Sequence, residues 1–300
     1  MSEKNIGLAS YGYRAMIGDC IRLIGKRSFV EAYAIGQSVM GRPIVALRCG
    51  RGPRRVHLNG AFHANEWITS ALLMRYLEDW SSACVEDNDL NGQRACRLYE
   101  ETSLWIVPMV NPDGVDLALY GLQQTHPHYR QLLDWNGGSD QFDQWKANAR
   151  GVDLNDQFPA HWEEERERRG TAGPAPRDYP GPYPLSEPEA QAIANFTSLL
   201  QFDTAAALHT QGEEIYWNYR DYEPDNALEL AERLGKASGY KPVKLTGSDA
   251  GYKDWFIQQY RKPAFTIEAG MGSNPLPVDH FDDIYRSLQP LLTELLVLHR

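Results

Sequence analysis

Apolar residues at Met16, Ile17, Ile21, Leu23 and Ile24 recur at helical intervals, and the spacing predicts a helix over residues 11–34. Glycines and a proline in 35–43 then mark a turn that feeds a strand, Ile44-Val45-Ala46-Leu47. A second short strand is predicted over 54–60, ending in Gly60. From 66 to 80, Trp67, Ile68, Leu72, Leu73, Tyr76 and Leu77 fall on one helical face. Residues 103–110 form a near-continuous apolar run, the pattern of a central strand buried on both faces. Asn111-Pro112-Asp113-Gly114 reads as a sharp turn after it. Further on, Ser186-Glu187-Pro188-Glu189 has capping-box spacing with an early proline, which predicts a helix to about residue 200. A strand is expected over 204–209, helices over 226–237 and 254–260, a strand over 263–268 opening into the loop 269–272, and an apolar helix over 288–298.

Strands and helices alternate throughout, so the pattern predicts an α/β fold with helices on both faces of a central sheet. There is no internal repeat and no convincing hinge, which favours a single domain. Residues 163–169, Glu-Glu-Glu-Arg-Glu-Arg-Arg, read as a solvated helix face. Six prolines fall between 173 and 188, a third of the chain's 18. That stretch is either a surface linker or a stiff loop walling a cleft.

Composition narrows the function classes. Of 300 residues, 42% are apolar and 23% charged, which excludes disordered, collagenous and coiled-coil chains. A formal net charge of −10 repels phosphate backbones and anionic lipid, so neither nucleic acid nor a membrane surface is an expected partner. No apolar run approaches the ~20 residues of a membrane span, and Met1-Ser2-Glu3-Lys4-Asn5 leads into no signal-like apolar region. A cytoplasmic protein is the simplest reading. The four cysteines, Cys20, Cys49, Cys84 and Cys96, form no CxxC pair and are expected to be idle thiols. A Cys84–Cys96 disulfide is conceivable only in an exported chain.

Candidate chemistry begins at Gly60-Ala61-Phe62-His63-Ala64-Asn65-Glu66-Trp67, where strand gives way to helix. An imidazole and a carboxylate three residues apart can supply two of the three protein ligands of a hydrolytic zinc ion. His209, 143 residues after Glu66 and at a predicted strand end, can supply the third. HxxE recurs by chance in a chain this long, so spacing alone leaves both a zinc site and an ordinary core histidine open.

The surrounding segments resemble zinc carboxypeptidases of the carboxypeptidase A type. His63-Ala64-Asn65-Glu66-Trp67 is similar to the HxxE zinc motif, Pro108-Met109-Val110-Asn111-Pro112-Asp113-Gly114 to the PxxNPDG strand and turn, and Gly151-Val152-Asp153-Leu154-Asn155 to the GxDxN segment. Tyr179-Pro180-Gly181-Pro182 through Glu189 resembles the loop before the helix that precedes the third ligand. The likeness runs over about residues 11–298, and within the family it is greatest to bacterial γ-D-glutamyl-L-diamino-acid endopeptidases, here without LysM repeats. It implies a mixed central sheet, a catalytic domain over 11–300 behind an N-terminal extension of 1–10, one zinc ion per chain and a peptidoglycan-derived peptide as substrate. The oligomeric state stays open.

The same resemblance implies roles. His63, Glu66 and His209 hold zinc, Glu268 acts as general base and Asp153 orients His63. Lys146 provides the oxyanion cation, with Arg150 as its rival. True carboxypeptidases follow the GxDxN asparagine with an arginine that grips a free C-terminus, but here Asn155 is followed by Asp156. The ungapped position of their substrate-closing tyrosine holds Thr246, with Tyr252 nearby. These departures fit a substrate whose residue after the cut bears an amine, as diaminopimelate does. Asp156 is then expected to face the amine and Lys253 the side-chain carboxylate. A metallocarboxypeptidase or amidohydrolase of other small peptides is the second reading, and a non-catalytic peptidoglycan-binding relative the third.

Overall fold

The computed structural model describes residues 10–298. The extension expected over 1–10 therefore lies, apart from Ser10, outside the described residues. Helix α1 (Tyr13–Lys26) precedes strands β1 (Glu31–Gln37), β2 (Pro43–Cys49) and β3 (Arg54–Gly60). A 3-10 turn (Ala64–Glu66) opens into α2 (Ile68–Glu86). A small ribbon of β4 (Asp89–Leu90) and β5 (Gln93–Arg94), then α3 (Ala95–Glu101), leads to β6 (Thr102–Val107), α4 (Pro112–Tyr120) and α5 (Tyr129–Trp135). A second 3-10 turn (Leu154–Asp156) precedes α6 (Trp162–Arg169) and α7 (Pro188–Leu200). The chain closes with β7 (Thr204–His209), β8 (Glu214–Tyr216), α8 (Ala227–Ser238), β9 (Lys241–Val243), α9 (Tyr252–Tyr260), β10 (Ala264–Glu268) and α10 (Phe281–Leu295).

Eight strands make one mixed sheet in the order β1-β2-β6-β3-β7-β10-β8-β9. Strands β6, β3, β7 and β10 run parallel to their neighbours at its centre. Every residue of β6 and β7 is buried, as the near-continuous apolar run over 103–110 predicts for β6. Alternate side chains feed opposite cores. Leu104, Ile106, Ala206 and Leu208 pack with α1, α2, α8 and α10, while Trp105, Val107, Ala205 and Ala207 pack with α7 and α9. Helices thus cover both faces. No helix among the described residues is long and apolar enough to cross a membrane.

Four local expectations are corrected. Residues 31–34 are not helical but begin the exposed edge strand β1, held in register by β2 rather than by apolar alternation of its own. Asn111-Pro112-Asp113-Gly114 starts a helix instead of a free turn. Asn111 Oδ1 accepts the Gly114 N–H at 3.0 Å with Pro112 in the first turn, and a Cβ on Gly114 would sit 2.4 Å from the Ala147 carbonyl oxygen. Ser186 does not cap α7; its hydroxyl bonds Gln157 and Glu187. Finally, α6 is not solvated all round, because Glu165 is buried and ion-paired to Arg168 and Arg169. All four cysteines are free thiols, with Cys96 Sγ 3.2 Å from the Cys84 carbonyl oxygen.

Candidate metal centre

The C-terminal ends of β3, β7 and β10 lie side by side, and each delivers one part of the site. Gly60 at the end of β3 pairs with Leu208, and His63 follows three residues later. The chain between them is pinned by Ala61 N–H donating to Thr69 Oγ1 at 2.8 Å and by Thr69 donating to the Glu66 carbonyl at 2.8 Å. His209 is the last residue of β7, and the parallel register sets it opposite Glu268 at the end of β10. Topology alone therefore brings together residues more than 200 apart in the chain.

His63 Nδ1 lies 2.9 Å from Glu66 Oε1. His209 Nδ1 lies 3.0 Å from Glu66 Oε2 and 3.2 Å from His63 Nδ1. The His209 ring stacks parallel to Phe62 at 6.1 Å. Glu66 is buried, and burial alone would raise its pKa, but the two imidazoles hold it well below the carboxylate range. Burial likewise works against a charged His63, yet Glu66 and Asp153 push its pKa up to about 10. Burial and the nearby Glu66 charge push Glu268 up to about 8.

The segment between α5 and α6 supports this cluster from outside. Asp153 Oδ1 is 3.2 Å from His63 Nε2, and its own N–H donates to the Tyr179 carbonyl at 2.8 Å. Lys146 Nζ lies 3.9 Å from Glu66 Oε1, and the Lys146 carbonyl accepts the Ala64 N–H at 2.9 Å. Arg150 instead points to Glu187 at 3.6 Å with half of its side chain exposed. The proline-rich segment is no free linker, since Pro176 accepts both the Lys146 and the Ala147 N–H. Asn155 is partly buried on the 3-10 turn, its N–H bonded to Asp153.

The residues expected to face substrate lie elsewhere. Tyr252 is fully buried, with its hydroxyl on His57 Nδ1 at 2.8 Å and Thr197 Oγ1 at 3.1 Å, behind Phe62 rather than over the cleft. Lys253 is buried too, paired with Asp254 and donating to the Asn218 carbonyl at 2.7 Å. Asp156 is buried, accepts a hydrogen bond from Arg169 Nη2 at 2.9 Å and is ion-paired to its Nε at 2.8 Å, so it is not a free charge awaiting an amine. Burial and the neighbouring Asp153 push its pKa up to about 7 against the pull of Arg169. Thr246 is exposed.

Two imidazole nitrogens and a carboxylate, with donor atoms within 4.8 Å of one another, suit zinc with a position left open. The family profile described as zinc carboxypeptidase matches residues 22–286. The chain belongs to the zinc carboxypeptidase family. It is thereby a zinc metallopeptidase. Gamma-D-glutamyl-L-diamino acid endopeptidase 1 of Lysinibacillus sphaericus is 44% identical over 280 residues, covering 93% of this chain and 70% of that protein. Bovine thrombin-activatable fibrinolysis inhibitor, solved with tick carboxypeptidase inhibitor, superposes with a TM-score of 0.70 at 20% identity over 95% of this chain and 94% of that one. Murein-tripeptide amidase MpaA from Escherichia coli O157 gives 0.56 at 21% identity over 90% and 92%. These two structures show the shared fold.

Residues outside the sequence motifs also contact the cluster of this metallopeptidase. Asn274 Nδ2 donates to Glu66 Oε1 at 3.2 Å, and the Thr210 N–H donates to Glu66 Oε2 at 3.2 Å. Thr210 and Asn274 bond each other at 2.7 Å. Asn274 stands in an irregular loop 208 residues from Glu66, and no local pattern marks it. Arg169 was hidden inside a charged run that reads as solvated surface.

Proposed function

We propose that residues 11–300 act as one catalytic domain that hydrolyses the amide joining γ-D-glutamate to a diamino acid in peptidoglycan-derived peptides. The observation that carries the catalytic reading is the convergence of His63, Glu66 and His209 beside Glu268, at adjoining strand ends. The activity named for the relative at 44% identity supports the substrate class.

His63, Glu66 and His209 would hold one zinc ion per chain. Zinc, when bound, acidifies water and polarises a carbonyl oxygen. Glu268 is assigned to take the water proton and return it to the leaving amine. Its raised proton affinity, from burial and from Glu66, suits that two-way role. Lys146 directs an ammonium group toward the ligand cluster and would stabilise the developing oxyanion. Arg150, engaged with Glu187, does not take that part. Asp153 fixes the ring of His63 through Nε2. Asn155 remains the substrate contact on the 3-10 turn, while Asp156, Lys253 and Tyr252, engaged with Arg169, Asp254 and His57, are given no substrate role.

The test is mass-spectrometric product analysis of L-Ala-γ-D-Glu-diaminopimelate, with a hippuryl amino acid as comparison. Release of free diaminopimelate is expected, abolished by a chelator. Glu268→Gln should keep zinc and slow the reaction by about 10²–10⁴-fold. Faster turnover of the hippuryl substrate, cleavage at the L-Ala bond, or binding without any product would overturn the reading.

A further inference from the structure

Asp153, the carboxylate that supports His63, belongs to a cluster. One oxygen each from Asp153, Asp156 and Asp178 lie within 4.8 Å of one another. Asp153 and Asp156 are buried, so their mutual repulsion is poorly screened. The three come from two separate segments: Asp153 and Asp156 from the 3-10 turn region, Asp178 from the proline-rich stretch. The Asp178 N–H also donates to Asp153 Oδ2 at 3.3 Å.

One guanidinium, from a third segment, sits among them. Arg169, the last residue of α6, reaches Asp156 Oδ2 through Nε at 2.8 Å and Asp156 Oδ1 through Nη2 at 2.9 Å. Its Nη1 reaches Asp178 Oδ1 at 3.1 Å. Glu165, one helical turn earlier, is ion-paired to the same Nε at 2.8 Å. A planar fork with several donors can bridge carboxylates in this way; an ammonium cannot do so at matched geometry.

We propose that Arg169 is a positioning residue of the metal centre: by balancing Asp156 and Asp178 it lets the Asp153 carboxylate stay pressed against His63. The inference rests on the reading that His63 is a zinc ligand. It also gives Asp156 a purpose, as the partner that anchors Arg169 beside the site. The pair replaces a substrate-facing charge with an internal one.

The experiment measures zinc affinity of metal-stripped protein by competition with a chromophoric chelator, without peptide. Arg169→Gln should weaken zinc binding by about 10–100-fold, the usual effect of losing support around a metal ligand. Arg169→Lys should fall between it and the wild type. The double variant Arg169→Gln with Asp156→Asn removes one charge of each sign and should recover most of the loss, which a purely space-filling role would not allow. Unchanged affinity in Arg169→Gln, or a double variant no better than the single one, overturns the inference. Should Arg169→Gln not fold, the double variant decides: near wild-type affinity supports the inference, and a tenfold or greater loss, on the scale of about 10–100-fold, overturns it. Failure to cut the muropeptide sinks the substrate reading alone. A wild-type chain that takes up no zinc sinks the metal reading and this inference with it.

Discussion

Glu66 is a buried carboxylate between two imidazoles, and a charge removed from water in this way must be fully partnered. It accepts from Thr210 N–H and Asn274 as well, which uses both oxygens twice. The same crowd of acids raises the pKa of His63 to about 10 against its burial. In the metal-free protein His63 therefore stabilises the fold fully below its ordinary pKa near 6.5, and that contribution is lost as pH rises through about 10. Zinc requires the neutral ring, so uptake must release this proton. Affinity is expected to rise by about tenfold per pH unit between those two values, with one proton released per ion. Calorimetry in buffers of different ionisation enthalpy checks it; a flat pH dependence would refute the assignment of His63 as a charged group.

At the scale of elements, the start of α9 shows how a local sequence can mislead. Lys253 is expected to face substrate, yet it and Asp254 are buried and joined to each other. Lys253→Ala leaves Asp254 uncompensated and should cost about 3–5 kcal/mol, read as a lowered Tm. Its effect on KM should be the same for diaminopimelate and lysine peptides; selective loss with diaminopimelate would restore a substrate role. Strand β6, with its near-continuous apolar run, was legible because burial on both faces needs no partner to be recognised. Strand β1 was not, because its pattern is nearly all exposed and only the β2 register makes it a strand. His63, Glu66, His209 and Glu268 were legible through motifs and strand ends. Arg169 and Asn274 were not, since their partners lie far away in the chain and long-range pairing leaves no local mark.

For the whole molecule, the centre joins elements that are far apart in the chain. His63 follows β3, His209 ends β7, Asp153 opens the second 3-10 turn and Asn274 lies beyond β10. An ion bound by the native state alone therefore holds the fold as a unit. Zinc at a thousandfold excess over its Kd should stabilise it by about 4 kcal/mol. Chelation should accordingly lower the Tm by several degrees and re-addition of zinc restore it, as differential scanning calorimetry would show. An unchanged Tm would mean that the native chain binds zinc no better than the unfolded one.

Strand β1 is one of the two edges of the sheet, a place where a foreign chain could add itself by backbone pairing. Its ladder slips between Ala34 and Gly36, and Glu31 at its start is tied back to Arg48. A visiting strand finds neither a straight rail nor an uncharged entrance there. Concentrated solutions of this peptidase should therefore stay clear where a flat, neutral rim would seed ribbon growth.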